Sequence, residues 1–250
     1  MFDHRLEQLS SVSLEELTET ADLQSRIDRK YLVSVRLATD LLDHLDSRNF
    51  RALTISKQRL FEYSSLYFDT PERESFLSSA HGRRRRFKIR TRTYEADAAV
   101  FLEVKTAGPR GSTVKHRLAH HGPRDTIDTA SAAWISTVLQ QPSLAERCRP
   151  TMGTRYRRAT FLDQGSSTRI TIDRDLTAIP FGGEPRPLGD GLVIETKSLG
   201  APTETDRWLW RAGSRPVALS KFGVAMVLCN PGLPSARWNR VLRQWFDWQP

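Results

Sequence analysis

Apolar and polar residues alternate along many short stretches of the chain, a pattern that is typical of β-strands with one apolar face. The clearest stretch is "RFKIRTRTY" over residues 86–94, in which Phe87 and Ile89 alternate with basic side chains. "YSSLYFDTP" is typical of another strand, which stops at a turn before Pro71. The same reasoning predicts strands over residues 83–94, 99–106, 113–119, 151–163, 168–176 and 192–198.

Apolar residues recur at helical spacing in the segments between these strands. The spacing predicts an N-terminal helix over residues 13–24, with Ser13 as its N-cap, and a C-terminal helix over residues 235–248. The C-terminal segment is more typical of a helix packed on the protein than of a membrane-surface helix. Further helices are predicted over residues 34–45, 72–81, 129–141 and 203–213.

Helices inserted between hairpin-connected strands indicate an α+β fold with one large, curled antiparallel sheet. We find no linker or low-complexity tract in the sequence that would separate domains. The chain is therefore predicted to form a single domain over residues 1–250, with a core at about residues 26–228 and a helix at each end.

The composition adds a strong positive charge to this picture. The chain of 250 residues has 38 Lys and Arg against 29 Asp and Glu, a net charge of +9, which indicates a polyanionic partner.

Two cysteines in unrelated contexts favour a reducing cytoplasm over a disulfide framework. The N-terminus lacks the pattern of a secretory signal, and the apolar run "GVAMVLC" is too short to cross a bilayer. We expect a cytoplasmic protein without a transmembrane segment.

The period of two places charged residues together on one face of several predicted strands. The face opposite Phe87 and Ile89 carries four cations, and mixed or basic faces recur on later strands. The sets are Arg86, Lys88, Arg90 and Arg92; Glu103 and Lys105; Lys115 and Arg117; Tyr156 and Arg158; Arg169, Thr171 and Asp173; Glu195 and Lys197. Apolar residues are predicted on the opposite face of three of these strands: Val114 and Leu118, Ile170 and Ile172, and Ile194.

A solvated polar face would explain any one of these strands. For all of these strands together a solvated face is a weaker explanation, because like charges on neighbouring strands repel one another. A closed antiparallel β-barrel would resolve this, with the apolar face against the helices and a polar, basic lumen. A polyanion in that lumen, with a few carboxylates holding a metal ion, would neutralise the cations.

An ordered series of motifs carries a family resemblance: "RKYLV", "LYFDT", "KIRTRTY", "FLEVKT", "KHRL", "YRRATF", "ITIDRDL", "VIETKS" and "LSKFGVAM". Each motif alone is weak, but the set, in this order, resembles the VTC domain, the catalytic domain of vacuolar transporter chaperone polyphosphate polymerases. The resemblance implies the triphosphate tunnel metalloenzyme fold. One departure is informative: residues 26–30 read Arg-Ile-Asp-Arg-Lys, whereas the adenylate cyclase/thiamine triphosphatase branch has Glu-x-Glu-x-Lys. This difference favours the VTC branch.

The resemblance also implies roles for individual residues. Arg90 and Arg92 match the pair that grips the nucleotide phosphates, and Glu195 matches the glutamate that holds the catalytic metal. Glu103 and Asp173 are further candidates, either for the metal or for orienting cations. The remaining predicted phosphate ligands are Lys30, Lys105, Lys115, Arg117, Arg158 and Lys221, together with Lys88 and Lys197 on the charged faces. Arg90, Arg92, Lys105, Arg158 and Glu195 form the predicted catalytic set.

The resulting hypothesis is a polyphosphate polymerase that transfers the γ-phosphate of ATP, or of another nucleoside triphosphate, to inorganic polyphosphate with Mn²⁺ or Mg²⁺. A triphosphatase or polyphosphatase of the same fold and a non-catalytic polyanion-binding module remain alternatives.

Specific nucleic-acid binding is not expected, since no aromatic residues are interleaved with the basic run at residues 83–86. His81, His116, His120 and His121 are interpreted as surface histidines. Any protein or membrane partner is not identified by the sequence.

Overall fold

The computed structural model describes residues 1–21, 27–94, 99–108, 112–163, 168–198 and 200–249. Its strands are β1 (Ser11–Val12), β2 (Ile27–Val33), β3 (Phe50–Leu53), β4 (Phe61–Asp69), β5 (Phe87–Tyr94), β6 (Ala99–Ala107), β7 (Thr113–Ala119), β8 (Arg149–Asp163), β9 (Arg169–Pro180), β10 (Arg186–Pro187) and β11 (Leu192–Ser198). The α+β prediction is confirmed: the registered strand pairs are antiparallel apart from the short pair β1–β3, and helices lie between the strands.

The helices are α1 (Phe2–Gln8), α2 (Leu14–Ala21), α3 (Val35–Ser47), α4 (Glu74–Ala80), α5 (Thr129–Leu139), α6 (Leu144–Arg147), α7 (Glu204–Arg211), α8 (Lys221–Cys229) and α9 (Asn239–Trp245). Ser13 caps α2 as predicted, with its hydroxyl accepting from the Glu16 amide; residues 22–24 of that predicted helix lie outside the described residues. The predicted C-terminal helix is shorter and is preceded by a 3₁₀ turn at Ala236–Trp238. Helix α1 was not predicted.

Contacts between Cα atoms divide the chain into two compact units. The first unit comprises Met1–Phe61, Arg157–Leu176 and Gly189–Ala218, and the second comprises Glu62–Tyr156, Thr177–Leu188 and Leu219–Pro250. The long strands β8 and β9 contribute residues to both units. The single domain over residues 1–250 stays a prediction.

In the first unit, β11 lies between β2 and β9, and β3 pairs with β8. The unit's core packs α1 and α3 against the sheet, with Leu41, Leu42 and Leu45 of α3 fully buried. Helix α3 begins where the Ser34 hydroxyl accepts a hydrogen bond from the Leu37 amide. Strand β11 is buried along its whole length, so that its charged side chains are enclosed as well as its apolar ones.

In the second unit the strand order is β8-β4-β5-β6-β7. Leu66, Ile89, Leu102 and Val104 form the apolar side of this sheet and pack against α5 and α6. Strand β7 is an edge: Val114 and Leu118, predicted on a covered face, are 40% and 37% exposed. The reason is that an edge strand lacks a neighbour on one side. Within the described residues, neither β7 here nor β2 in the first unit has a second paired strand, so the predicted closed barrel is not confirmed.

Candidate functional site

The charged face of β5 is buried rather than solvated. Arg90 and Arg92 are 6% and 8% exposed, while Phe87 and Ile89 on the opposite face are also buried. The strand is central, with β4 on one side and β6 on the other, and both of its faces are covered. This burial contradicts the interpretation of the charged face as a simple solvated surface.

Arg90 is held by a carboxylate and a phenol on the neighbouring strands. Its register partners are Glu103 on β6 and Tyr67 on β4. The guanidinium donates to Glu103 Oε2 through Nε at 2.9 Å and Nη2 at 2.5 Å, and through Nη1 to the Tyr67 hydroxyl at 3.1 Å. Such charge-assisted bonds fix the plane of the guanidinium.

The same cations control the ionisation of Glu103, which has no exposed surface. Burial raises the pKa of this carboxyl, but the charges of Arg90, Arg92 and nearby lysines outweigh burial and lower it well below its ordinary value. Glu103 is therefore an anion, and its Oε1 atom lies 3.7 Å from Lys115 Nζ. These contacts favour the role of orienting cations over the role of metal ligand.

Arg92 is held by neutral hydroxyls. Its Nε donates to Ser65 Oγ at 3.2 Å and its Nη2 donates to the Tyr156 hydroxyl at 2.9 Å. The guanidinium carbon also lies 5.5 Å from the centroid of the Tyr63 ring. Because hydroxyls position the group without neutralising it, Arg92 keeps a full positive charge that a phosphate oxygen can use.

Three lysines form a row across the adjacent strands. Lys88 on β5 is directly opposite Lys105 on β6, and Lys105 is directly opposite Lys115 on β7. Like charges in direct register destabilise a sheet unless an anion lies between them. This row, two residues along β5 from Arg90, therefore fits an anionic ligand such as a phosphate chain.

The structure places Arg117 apart from the lysine row, at an aromatic end of the same face. Its guanidinium carbon is 3.4 Å from the Phe101 ring centroid and 5.2 Å from that of Tyr94. Tyr94 packs edge-on against both Phe101 and Tyr63. The charged face is thus aromatic at one end and basic at the other.

The "SKFG" motif supports this face from α8. Ser220 caps the helix by accepting from the Gly223 amide at 3.1 Å, and Lys221 Nζ lies 4.6 Å from the Tyr156 ring centroid. Phe222 stacks on Tyr67 with ring centroids 4.7 Å apart, which fixes the phenol that holds Arg90. Sequence reasoning placed Tyr156 on a charged face without a role and missed Ser65 and Tyr67, for which the period-two spacing of residues 63, 65 and 67 was the available signal.

A second charged cluster lies in the first unit, around Glu195 on β11. Its register partners are Lys30 on β2 and Thr171 on β9. Lys197 donates to Glu195 Oε1 and lies 3.7 Å from Asp28 Oδ1. The structure therefore brings together Lys30, Glu195 and Lys197, three of the predicted site residues.

Arg158 and Asp173 form a bidentate pair in the same unit. Arg158 Nε donates to Oδ1 at 2.5 Å and Nη2 donates to Oδ2 at 2.8 Å. Asp173 has almost no exposed surface. Its contacts, like those of Glu103, favour the orienting role, and Glu195 remains the main candidate for the metal.

The residues around Glu195 fit a divalent ion that is shared with a substrate. No group of three or more His, Cys, Asp or Glu side chains in the described part of the chain could hold a metal by itself. Thr171, directly opposite Glu195, has a buried hydroxyl that makes no hydrogen bond to another described residue. One carboxylate together with phosphate oxygens is a common way of binding Mg²⁺. A buried hydroxyl beside that carboxylate, without a partner among the described residues, is consistent with a ligand there.

Comparisons with known proteins bear on the family. The model of the VTC domain matches residues 25–228, well over half of the chain. The chain belongs to the VTC domain family. The resemblance inferred from the ordered motifs is thereby confirmed. No curated protein matches the sequence.

Two solved structures illustrate what this VTC domain is similar to. A proposed adenylate cyclase from Bacillus halodurans shares 16% identity at a TM-score of 0.49, with 78% of this chain and 93% of that one covered. HpAC1 from Hippeastrum, a proposed adenylyl cyclase with a dominant triphosphatase activity, shares 16% identity at 0.48, with 80% and 94% covered.

Among the described helices, none has the length and apolar character needed to cross a membrane. His120, interpreted as a surface residue, is buried, and its Nε2 lies 3.0 Å from the Pro123 carbonyl oxygen. The short Pro123 turn folds back over the ring, a contact that the local sequence did not indicate.

Proposed function

We propose that this VTC domain is a polyphosphate polymerase, which extends inorganic polyphosphate with the γ-phosphate of ATP or another nucleoside triphosphate. The observation that carries the proposal is the charged face of β5 and β6. It holds Arg90, Arg92, Lys88 and Lys105 against one carboxylate, Glu103, and continues to Lys115 on β7. An excess of positive charge arranged in a line along and across strands suits a linear polyanion.

Arg90 and Arg92 bind the triphosphate in this proposal. Both guanidiniums are fixed by neighbouring side chains before substrate arrives, so little reorganisation opposes binding. The lysines supply point charges to phosphates further along the chain. We assign supporting phosphate contacts to Lys30, Lys88, Lys105, Lys115, Arg117, Arg158, Lys197 and Lys221.

Glu195 would hold Mn²⁺ or Mg²⁺, with Lys30 and Lys197 adjusting the local charge. When bound, the ion would neutralise phosphate charge and orient the transferring group. In the transfer, a terminal oxygen of the polyphosphate chain forms a bond to the γ-phosphorus. The bond from that phosphorus to the β–γ bridging oxygen breaks, and the nucleoside diphosphate leaves with the electron pair. Positioned cations stabilise the charge on the equatorial oxygens throughout.

The proposal is tested by incubating purified protein with ATP and Mn²⁺ and resolving the products on a gel stained for polyphosphate. Chains that lengthen as ADP accumulates are the expected result. Free phosphate without chains would instead identify a triphosphatase, in which water replaces the chain as acceptor. Binding of triphosphate without turnover would identify a non-catalytic polyanion-binding module.

The variant Glu195→Gln separates catalysis from binding. We expect turnover to fall by about 10²–10³, while tripolyphosphate affinity changes by no more than about twofold, because the amide keeps the shape but loses the charge that attracts the metal. Isothermal titration and the gel assay measure the two quantities. Glu7→Gln, at an exposed carboxylate of the same unit, is the matched control. Unchanged turnover in Glu195→Gln would refute the metal role of this residue.

A further inference from the structure

Four consecutive arginines lie between α4 and β5 and are not used in the proposed transfer. Residues 83–86, here named the arginine turn, fold back so that the Arg86 amide donates to the Arg83 carbonyl oxygen at 3.3 Å. Arg83, Arg84 and Arg85 are exposed, whereas Arg86 is half-buried and donates through Nη1 to the same carbonyl at 3.2 Å. Three guanidiniums therefore project from one short segment.

These charges are not neutralised locally. Within the described part of the chain, neither Arg83, Arg84 nor Arg85 forms an ion pair with an acidic side chain, although many other exposed arginines do. Clustered cations of one sign repel each other and weaken the fold slightly. Their concentration in a single turn indicates an anionic partner.

A fourth exposed arginine near the turn comes from the C-terminal segment. The Arg237 Nη1 atom lies 2.9 Å from the position that a Cβ on Gly82 would occupy, immediately before the arginine turn. The contact is fixed by packing, because the rings of Trp238 and Phe76 have centroids 5.9 Å apart. Tertiary structure thus adds Arg237, also exposed, to the cations of the turn.

The arginine turn continues directly into the lysine row. Arg86 precedes Lys88 by two residues, a rise of about 7 Å along a strand. The Arg86 carbonyl accepts from the Ala107 amide at 3.3 Å, next to the end of β6 that carries Lys105. Positive charge therefore extends along the second unit from Arg92 and Arg90, through the three lysines, to the exposed arginines of the turn.

We propose that Arg83, Arg84, Arg85 and Arg237 bind the part of a long inorganic polyphosphate chain that extends beyond the lysine row. This inference rests on the proposed function and assigns the surface on which the growing chain lies. Guanidinium forks bind phosphate oxygens through bidentate bonds, and several of them close together suit the repeated charges of a phosphate chain. A membrane surface fits less well, since residues 83–86 carry no apolar side chain that could insert into lipid.

The test compares two triple variants of the full chain. Arg83→Gln/Arg84→Gln/Arg85→Gln removes the three exposed charges of the turn, and Arg36→Gln/Arg207→Gln/Arg211→Gln removes the same number of exposed arginines elsewhere. Thermal unfolding first establishes that both variants are folded. Affinity is then measured for long-chain polyphosphate, for tripolyphosphate and for vesicles containing phosphatidylserine, at several salt concentrations.

We expect the turn variant to bind long-chain polyphosphate about tenfold more weakly, with a salt dependence whose slope falls by about two, and to bind tripolyphosphate as the unmodified chain does. Its polymer products should also be shorter. Equal affinity for long chains, an equal loss in the control variant, or a loss confined to vesicles would each overturn the proposal. Failure of the proposed function is recognised separately, because the unmodified chain would then make no polymer from ATP.

Discussion

At the scale of single residues, Glu103 decides how the charged face can exist in a folded protein. Its Oε2 atom accepts two bonds from Arg90, and its Oε1 atom faces Lys115. One buried anion thus offsets part of the repulsion among six cations on β5, β6 and β7. The remaining charge is what the proposed function assigns to phosphate.

Replacing Glu103 with Gln should destabilise the protein by about 3–5 kcal/mol near neutral pH, because Arg90 would keep its buried charge without a carboxylate. The folded-state pKa of Glu103 is below its unfolded value of about 4.3. This contribution is therefore fully present above that value and is lost as the pH falls below it.

Urea unfolding of both proteins at pH values from about 7 down to about 3 measures the difference. The gap between the two stabilities should narrow as the medium becomes more acidic. Glu184→Gln, an exposed change in the same unit, serves as control. A gap that stays constant or widens at low pH would show that the Glu103 charge does not stabilise the fold.

At the scale of elements, α8 shows how an ordinary helix supports the charged face. Phe222 packs under Tyr67, and Gly223 faces the Trp238 indole with no space for a side chain. The apolar run "GVAMVLC" is too short to span a membrane, and no helix was predicted there from the sequence. Its burial on nearly all sides removes the amphipathic signal that helix prediction uses.

Gly223→Ala tests this packing. Helix propensity alone would stabilise the variant by about 1 kcal/mol. The added methyl group would instead collide with three ring atoms of Trp238, so we expect a net loss of about 1–3 kcal/mol in the free energy of unfolding. Gly200→Ala, where the space is open, is the control in the same denaturation experiment. A stabilised Gly223→Ala variant would mean that the indole moves aside freely.

At the scale of the whole molecule, the two cysteines report on unfolding. Cys148 is buried among apolar residues of α5, α6 and the sheet, and burial together with the charge of Asp69 raises its pKa to about 12. Cys229 is less buried, and burial also raises its pKa. The two thiols should therefore differ in reactivity in the native state and become alike once the chain unfolds.

Alkylation with iodoacetamide at about pH 8, followed by mass spectrometry, checks this expectation. At that pH roughly one Cys148 thiol in ten thousand is ionised, so its labelling should be far slower than that of Cys229 until denaturant is added. Equal rates for the two thiols without denaturant would indicate that the second unit opens readily around Cys148.

Much of the secondary structure and most of the candidate site could be predicted from sequence. The strands β5, β6, β7 and β11 were placed within a few residues, since their alternation is a local property. The closed barrel was not confirmed, because closure depends on pairing between distant strands. Helix α1 was missed for a similar reason: its burial of Phe2 and Leu6 depends on packing against α3.

Two properties of this protein could be read directly from its sequence: which side chains share a face of a strand and, through the order of the motifs, the family. Both follow from backbone geometry and chain order, which need no knowledge of neighbours in space. Which charged groups meet follows instead from the folded structure: Arg90 with Glu103, Arg92 with Tyr156, Glu195 with Lys30 and Thr171, and Arg237 with the arginine turn. These pairs depend on strand register and helix packing between residues far apart in the chain, and no local pattern encodes them.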